Sequence, residues 1–475
     1  MPHIGVGVGV GRRRKLLSST PPLAVGAKIA ILGDSIAQYA NLASASTIEN
    51  QGDGELIWAL AMSPRGKAQI WYDATATAAT LVPTYGEACA VDPLWRGYNL
   101  GLSGDTTTGM SLRVTAAKNT TAEVIIYSGG TNVGSGDSPV ATVTANISAS
   151  VSNMVAAGKR VILGTIRPRR VAVSPTGSQI NPASMGRIIQ INDWIRANYA
   201  SLGAVLWDPW EALRDRAYNP GDQLYGTDAA GMTRDNVHLS PRGAYTSACS
   251  TDYGAIPLKD AIAQVIAAGA WFNTDPTVSN ILTNGRFTGT GGTANNGCSG
   301  TMPNNTFVSN VSGAAQPVTG VASVVANAET GGQSVNLVLT STGAGTANTF
   351  NTIRLSHTNP ATGFASTDYV QAIYEIEVDG AAVMPCLQAT LGQSSTISAR
   401  GLGQTTGTYN SEPYPAYSGR MWVQTEPLLV GARTSLNPRL DMIIRQDLAG
   451  STTIKVHRAL LRVVPSPVTE FPWSP

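Results

Sequence analysis

Two textures divide the chain. From Lys28 to about Ala270, short apolar runs alternate with stretches of helical spacing. The runs Lys28–Leu32, Tyr98–Leu100, Glu123–Tyr127, Arg160–Ile166 and Ala204–Trp207 predict strands. Thr107–Ala117, Val140–Ala157, Ser184–Ala200 and Ile256–Ala268 predict helices between and after them. Such alternation predicts an α/β unit with right-handed crossovers and a parallel sheet covered by helices on both faces. Beyond it the helical period is lost. Ser334–Thr340, Thr349–Leu355, Tyr369–Val378, Cys386–Leu391, Met421–Gln424, Arg439–Arg445 and Thr453–Val463 alternate instead, separated by Gly, Asn, Ser and Thr turns. That pattern predicts an all-β antiparallel sandwich or jelly roll. The expected organisation is an arm at 1–27, an α/β domain at 28–270, a linker at 271–282 and a β-domain at 283–475.

Two insertions interrupt the α/β pattern. Residues 44–95 carry Trp58, Trp71, Tyr72, Tyr85 and Trp95, and residues 167–183 carry Arg167, Arg169 and Arg170. They read either as packing and solvated loop or as a substrate rim, with aromatics for sugar faces and arginines for acidic groups. Tyr414, Tyr417 and Trp422 of the β-domain, expected to be exposed, suit glycan binding or subunit contact, or only pack its core. The opening residues set a Gly-Val repeat before Arg12–Lys15, the reverse of a secretory signal. They read as a floppy tail or as an arm that orders against a partner.

Composition narrows the class. Charged residues make up 13% of 475, with 50 glycines and a net charge of +2. Low charge with many turn residues fits an exported or particle-associated protein, and near-neutrality disfavours nucleic-acid binding through phosphate neutralisation. No apolar run reaches the roughly 18 to 20 residues of a membrane span. Cys89, Cys249, Cys298 and Cys386 lack C-x-x-C spacing, so neither a zinc site nor a disulfide framework is indicated.

The candidate chemistry sits just past the predicted strand ends, where open parallel sheets bind ligands. Gly33-Asp34-Ser35 closes the first strand and places a serine at a strand-to-helix turn, a favourable position for a nucleophile. Of four histidines, only His238 lies in the α/β region. Ser240 as N-cap and Pro241 in the first turn predict a helix starting directly behind it. Asp235, three residues earlier, can turn back onto Nδ1–H; alone, the pair reads equally as structural. Asn99-Leu100-Gly101-Leu102-Ser103-Gly104-Asp105-Thr106 and Ser128-Gly129-Gly130-Thr131-Asn132 follow the next two strands. The N–H groups of Ser35 and Gly104 and the Asn132 amide can converge on one oxygen as an oxyanion hole.

These blocks resemble the SGNH (GDSL) hydrolase superfamily over about residues 28–270. Its four name-giving residues match Ser35, Gly104, Asn132 and His238, and Asp235 matches its triad aspartate. The third block departs, with Val133 where the family often has Asp. No G-x-S-x-G occurs, which disfavours the nucleophile-elbow hydrolases. The resemblance implies a flavodoxin-like sheet and ester hydrolysis through an acyl-enzyme, with no metal or cofactor. Together with the β-domain and arm, the chain looks similar to phage tail-associated esterases. The expected activity is removal of O-acetyl groups from a polysaccharide. The expected setting is extracellular or on a virion, with residues 1–27 contacting other particle proteins and a homo-oligomer as a further expectation. The competing readings are a particle-bound glycan receptor and a general esterase or lipase.

Overall fold

The computed structural model describes residues 21–24, 27–38, 54–63, 69–70, 99–120, 122–133, 139–267, 280–313, 316–347, 349–360, 362–380, 383–393, 396–401, 417–425 and 428–464. Trp71, Tyr72, Tyr85, Trp95 and Tyr414, Cys89, most of the arm and linker residues 271–279 lie outside these.

In the first unit the strands are β1 (Lys28–Gly33), β2 (Gln69–Ile70), β3 (Asn99–Gly101), β4 (Val124–Ser128), β5 (Arg160–Gly164) and β6 (Ala204–Trp207). They run parallel in the order β2-β1-β4-β5-β6, with β3 pairing along the second half of β1. The described helices are α1 (Ser35–Gln38), α2 (Glu55–Ala61), α3 (Thr107–Asn119), α4 (Val140–Ala156), α5 (Pro182–Asn198), α6 (Trp210–Leu213), α7 (Pro241–Cys249) and α8 (Leu258–Val265). The predicted strands and helices recur within a few residues. The start of the fourth predicted helix is lost at Ile256, whose backbone pairs with Asp208 instead, so that α8 begins at Leu258.

Strand side chains alternate between two cores, as period two requires. Ala30, Leu32, Ile125, Tyr127, Val161, Leu163 and Leu206 face α3, α4 and α5, meeting Met110, Val114, Ile147, Val151 and Ile188. Ile29, Ile31, Val124, Ile126, Ile162 and Trp207 face α2, α7 and α8. The apolar cluster on this second side runs without a break into the β-rich unit.

That second unit contains two sheets. One has the order β16-β13-β19-β11-β10-β8, with β17 also on β13; the other has β15-β14-β18-β12-β9-β7. These strands are β7 (Thr293–Asn295), β8 (Cys298–Gly300), β9 (Thr306–Asn310), β10 (Val318–Asn327), β11 (Gly332–Thr342), β12 (Phe350–His357), β13 (Tyr369–Asp379), β14 (Cys386–Gln393), β15 (Thr396–Gly401), β16 (Gly419–Gln424), β17 (Leu428–Leu429), β18 (Arg439–Arg445) and β19 (Ala449–Val464). The long pairings are antiparallel, as the alternation predicts. Two short ones, β10 with β8 and β7 with β9, are parallel. Each pairs only three residues, and β7, β8 and β9 are themselves three to five residues long, too little pattern for the sequence to announce. Cys249, Cys298 and Cys386 are buried. No helix among the described residues is long and apolar enough to cross a membrane.

Candidate active site

The site forms where β1, β3 and β4 end side by side. Gly33 closes β1 in a gap that admits no side chain: a Cβ there would lie 2.0 Å from the Ser128 carbonyl oxygen and 2.4 Å from the Ala37 Cβ. The next residue, Asp34, is fully buried. One carboxylate oxygen accepts the Ile36 N–H at 3.0 Å, and the other accepts the Thr131 N–H at 3.0 Å. Asp34 therefore ties the Ser35 turn to the loop that carries Asn132. Burial pushes its carboxyl up, against those two N–H groups and the Arg167 charge. Ser35 follows at the start of α1 with its side chain nearly closed off from solvent.

From 203 residues further along, His238 brings Nε2 to 3.0 Å from Ser35 Oγ. Its Nδ1 lies 2.6 Å from Asp235 Oδ2, and its backbone N–H donates to Asp235 Oδ1 at 2.7 Å. Val237 N–H reaches the same oxygen at 3.1 Å. This tight turn needs Asn236 in the left-handed region at φ 73°, a conformation Asn tolerates better than most residues. Burial alone raises the Asp235 carboxyl, but the His238 ring and these N–H donors outweigh it and hold the group down at about 2. Behind the histidine, Ser240 Oγ accepts the Gly243 N–H at 3.1 Å and Pro241 opens α7, as the sequence predicts.

The oxyanion candidates sit on the adjoining loops. Gly104 has φ +75°, with nothing within 4 Å of where a Cβ would stand, so backbone conformation rather than space calls for glycine. The Asn132 amide donates to the Asp105 carbonyl at 2.7 Å, which joins the two loops. Val133, in place of the family's Asp, is buried, and its N–H bonds to the Gly130 carbonyl at 3.3 Å. The structure thus brings the Ser35, Asp235 and His238 side chains into one hydrogen-bonded chain and sets the Gly104 and Asn132 loops against each other.

Three arginines carry support that the sequence did not disclose. Arg113 on α3, fully buried, donates to the carbonyls of Leu100 and of Gly33 (2.9 Å) and pairs with Asp105. It clamps the ends of β1 and β3 from below. The substrate-rim reading of the 167–183 insertion is overturned for two of its arginines. Arg167 is 2% exposed and forms a two-pronged pair with the equally buried Glu55, at 3.0 and 2.6 Å. Arg169 donates to the carbonyls of Thr131 (2.7 Å) and Ser178 (2.8 Å). Burial lowers its pKa despite the nearby charges of Asp34 and Asp235. Arg170 stays partly exposed and pairs with Asp228 at 3.0 Å. Trp58 packs rather than lining a rim: it is buried against Tyr245 and Tyr417, with centroids 5.1 and 5.2 Å away. Tyr417 and Trp422, expected on the surface, are buried as well. A charged or aromatic residue in a polar loop reads as exposed until its distant partner is known.

Residues 31–245 match the model of the GDSL-like Lipase/Acylhydrolase family. No curated protein matches the chain. Among solved structures it is similar to a catalytic mutant of an acetylxylan esterase from Geobacillus stearothermophilus, with 15% identity, 54% of this chain and 100% of that one covered, and a TM-score of 0.32. It is similar also to a GDSL-like lipase from Bacteroides thetaiotaomicron, with 14% identity, 45% and 80% covered, and a TM-score of 0.25.

Proposed function

We propose that this carboxylic ester hydrolase, whose residues 31–245 are a domain of the GDSL-like Lipase/Acylhydrolase family, removes O-acetyl groups from a polysaccharide through an acyl-enzyme on Ser35. The observation that carries the proposal is the continuous chain from Ser35 Oγ through His238 to Asp235, at 3.0 and 2.6 Å. In it, His238 Nε2 takes the Ser35 proton as Oγ attacks the ester carbonyl. Asp235 holds Nδ1–H, fixing the tautomer and stabilising the imidazolium. The N–H groups of Ser35 and Gly104 and the Asn132 amide receive the oxyanion. His238 then protonates the leaving alcohol, and in the second half takes a proton from the water that releases acetate.

A short acyl group is favoured because the large apolar side chains exposed on the described part of this unit are Leu112, Val173 and Tyr253, on three separate segments. A long acyl chain needs a continuous apolar surface. The polysaccharide rests on the fused β-sandwich and on the polar texture of the chain. The proposal extends to place: extracellular or on a virion, with residues 1–27 as the attachment arm. The root of that arm is fastened, Leu23 N–H to the Val265 carbonyl at 2.8 Å and Arg160 to the Pro21 carbonyl at 3.0 Å.

Acetate release from a panel of O-acetylated polysaccharides, wild type beside Ser35→Ala, tests this reading. Release that vanishes in the mutant is expected. Equal release by both would overturn the nucleophile. Hydrolysis of p-nitrophenyl acetate, with no polysaccharide touched, would overturn the substrate class.

A further inference from the structure

The β-sandwich reaches the reaction centre through a chain of buried contacts. At one end, Trp422 on β16 donates its indole N–H to the carbonyls of Leu60 (3.1 Å) and Ser63 (2.9 Å), at and just beyond the carboxyl end of α2. Leu60 lies in the last turn of α2, where its carbonyl also accepts the Ser63 N–H at 3.1 Å, and Ser63 lies two residues past the helix, so the indole fastens the turn that closes it. Beside this bond, Trp58 of α2 meets Tyr417 of the sandwich and Tyr245 of α7, and Tyr417 and Tyr245 lie 6.3 Å apart.

At its other end, α2 opens with Glu55, which holds Arg167 through both carboxylate oxygens. The same guanidinium donates to Ser128 Oγ at 2.8 Å and lies 4.0 Å over the Trp207 ring. Ser128 ends β4, and its carbonyl accepts the Asp34 N–H at 3.4 Å. Glu55 also receives the hydroxyl of Ser247, which lies on α7, the helix that begins three residues after His238. A seven-residue helix cannot hold its own position by helical hydrogen bonds. Here it is pinned by the sandwich at one end and by a buried ion pair at the other. That ion pair in turn touches the strand behind Asn132 and the helix behind His238.

We infer that Trp422 and Glu55 are positioning residues for ester hydrolysis, so that the β-sandwich is part of the catalytic unit rather than an appended module. The inference rests on the Ser35–His238 reading. It differs from that reading in its consequence: damage to the sandwich contact slows the chemistry of a small ester that carries no polysaccharide for the sandwich to hold.

The test uses the full chain, with p-nitrophenyl acetate as the probe and Ser35→Ala as the control for the underlying reading. Trp422→Phe keeps an aromatic ring and removes the N–H; Glu55→Gln keeps the shape and removes the charge. Each is expected to lower kcat about tenfold with KM within about twofold, since small displacements far from the chemistry act on the barrier. The double variant is expected to lose little more than either single one, because both act through one helix. A merely structural contact would lower the melting temperature and leave kcat, KM and the pH profile unchanged, and that result in folded Trp422→Phe overturns the inference. Additive losses in the double variant also overturn it. If Trp422→Phe does not fold, Glu55→Gln decides, and wild-type kcat, KM and pH profile in folded Glu55→Gln are equally fatal. Full activity in Ser35→Ala would instead bring down the reading on which the inference stands.

Discussion

Asp34→Asn probes the link between the Ser35 turn and the Asn132 loop, the proposed nucleophile and oxyanion donor. In the wild type both carboxylate oxygens accept buried backbone N–H groups at 3.0 Å, from Ile36 and from Thr131. The asparagine amide can satisfy one of them, and its NH₂ then faces the other donor. One buried N–H left unpaired costs about 1–3 kcal/mol. Removing a carboxylate whose burial disfavours its charge returns part of that, so a net loss of about 1–2 kcal/mol is expected. The kinetic effect is larger, because Ile36 and Thr131 adjoin Ser35 and Asn132. Loss of one oxyanion donor costs about 2.7–4 kcal/mol of barrier, and loosening the loop forfeits part of this, which predicts a fall in kcat of about 10- to 100-fold at nearly constant KM. Urea unfolding and steady-state hydrolysis of p-nitrophenyl acetate measure the two effects. A third signature concerns pH. Because burial raises the Asp34 carboxyl, its contribution to stability is fully present below the ordinary value of 3.8 and is lost as pH rises through the folded value. The Asn variant lacks that dependence. A variant with kcat within twofold of wild type would refute the reasoning, because it would mean that the two loops keep their places without the carboxylate.

Four further outcomes are expected. Asp235→Asn presents an amide where the His238 tautomer needs an acceptor, so kcat should fall about 10⁴-fold; a loss below tenfold would remove Asp235 from the triad. With Asp235 held at about 2, it stays ionised across the neutral range. The acid side of the kcat/KM profile should therefore show no step from Asp235, and a slope of two there would contradict this. The stability Asp235 contributes is present above 3.8 and lost as pH falls through about 2, and solvent screening of this half-exposed pair keeps it below about 1 kcal/mol. Gly33→Ala must move either the Ser128 carbonyl or Ala37, and a loss of about 3 kcal/mol in thermal or urea unfolding is expected. Unchanged stability would mean that the end of β1 yields more readily than its packing implies.

The sequence disclosed those parts of the molecule that depend on neighbours in the chain. The run Ile29–Leu32 ending at Gly33, Ser240 followed by Pro241, and Asp235 three residues before His238 are local patterns, and each keeps its expected local geometry. The long alternating strands Tyr369–Asp379 and Arg439–Arg445 were legible for the same reason. What stayed hidden depends on partners far away in sequence. Glu55 meets Arg167 across 112 residues, Arg113 meets Gly33 across 80, and Trp422 meets Leu60 across 362. Neither member of such a pair carries a mark of the other. An arginine in a polar loop therefore suggested a substrate rim, and a tryptophan in a short strand suggested a surface. One signal was available: Glu55 opens an apolar stretch, Leu56 to Ala61, in which a lone carboxylate bordering a buried helix needs a cation. A buried charge persists only when paired, and Arg167 at a strand end was a candidate partner.

The most direct measurement of the central claim is covalent labelling with diisopropyl fluorophosphate, followed by peptide mapping and residual activity on p-nitrophenyl acetate. Attack by a His238-activated serine displaces fluoride and leaves a phosphoester on Oγ. The account predicts one labelled site, Ser35, with activity lost in proportion to labelling, and no label there in His238→Ala. Inactivation with Ser35 unmodified, or full activity with Ser35 modified, would contradict it.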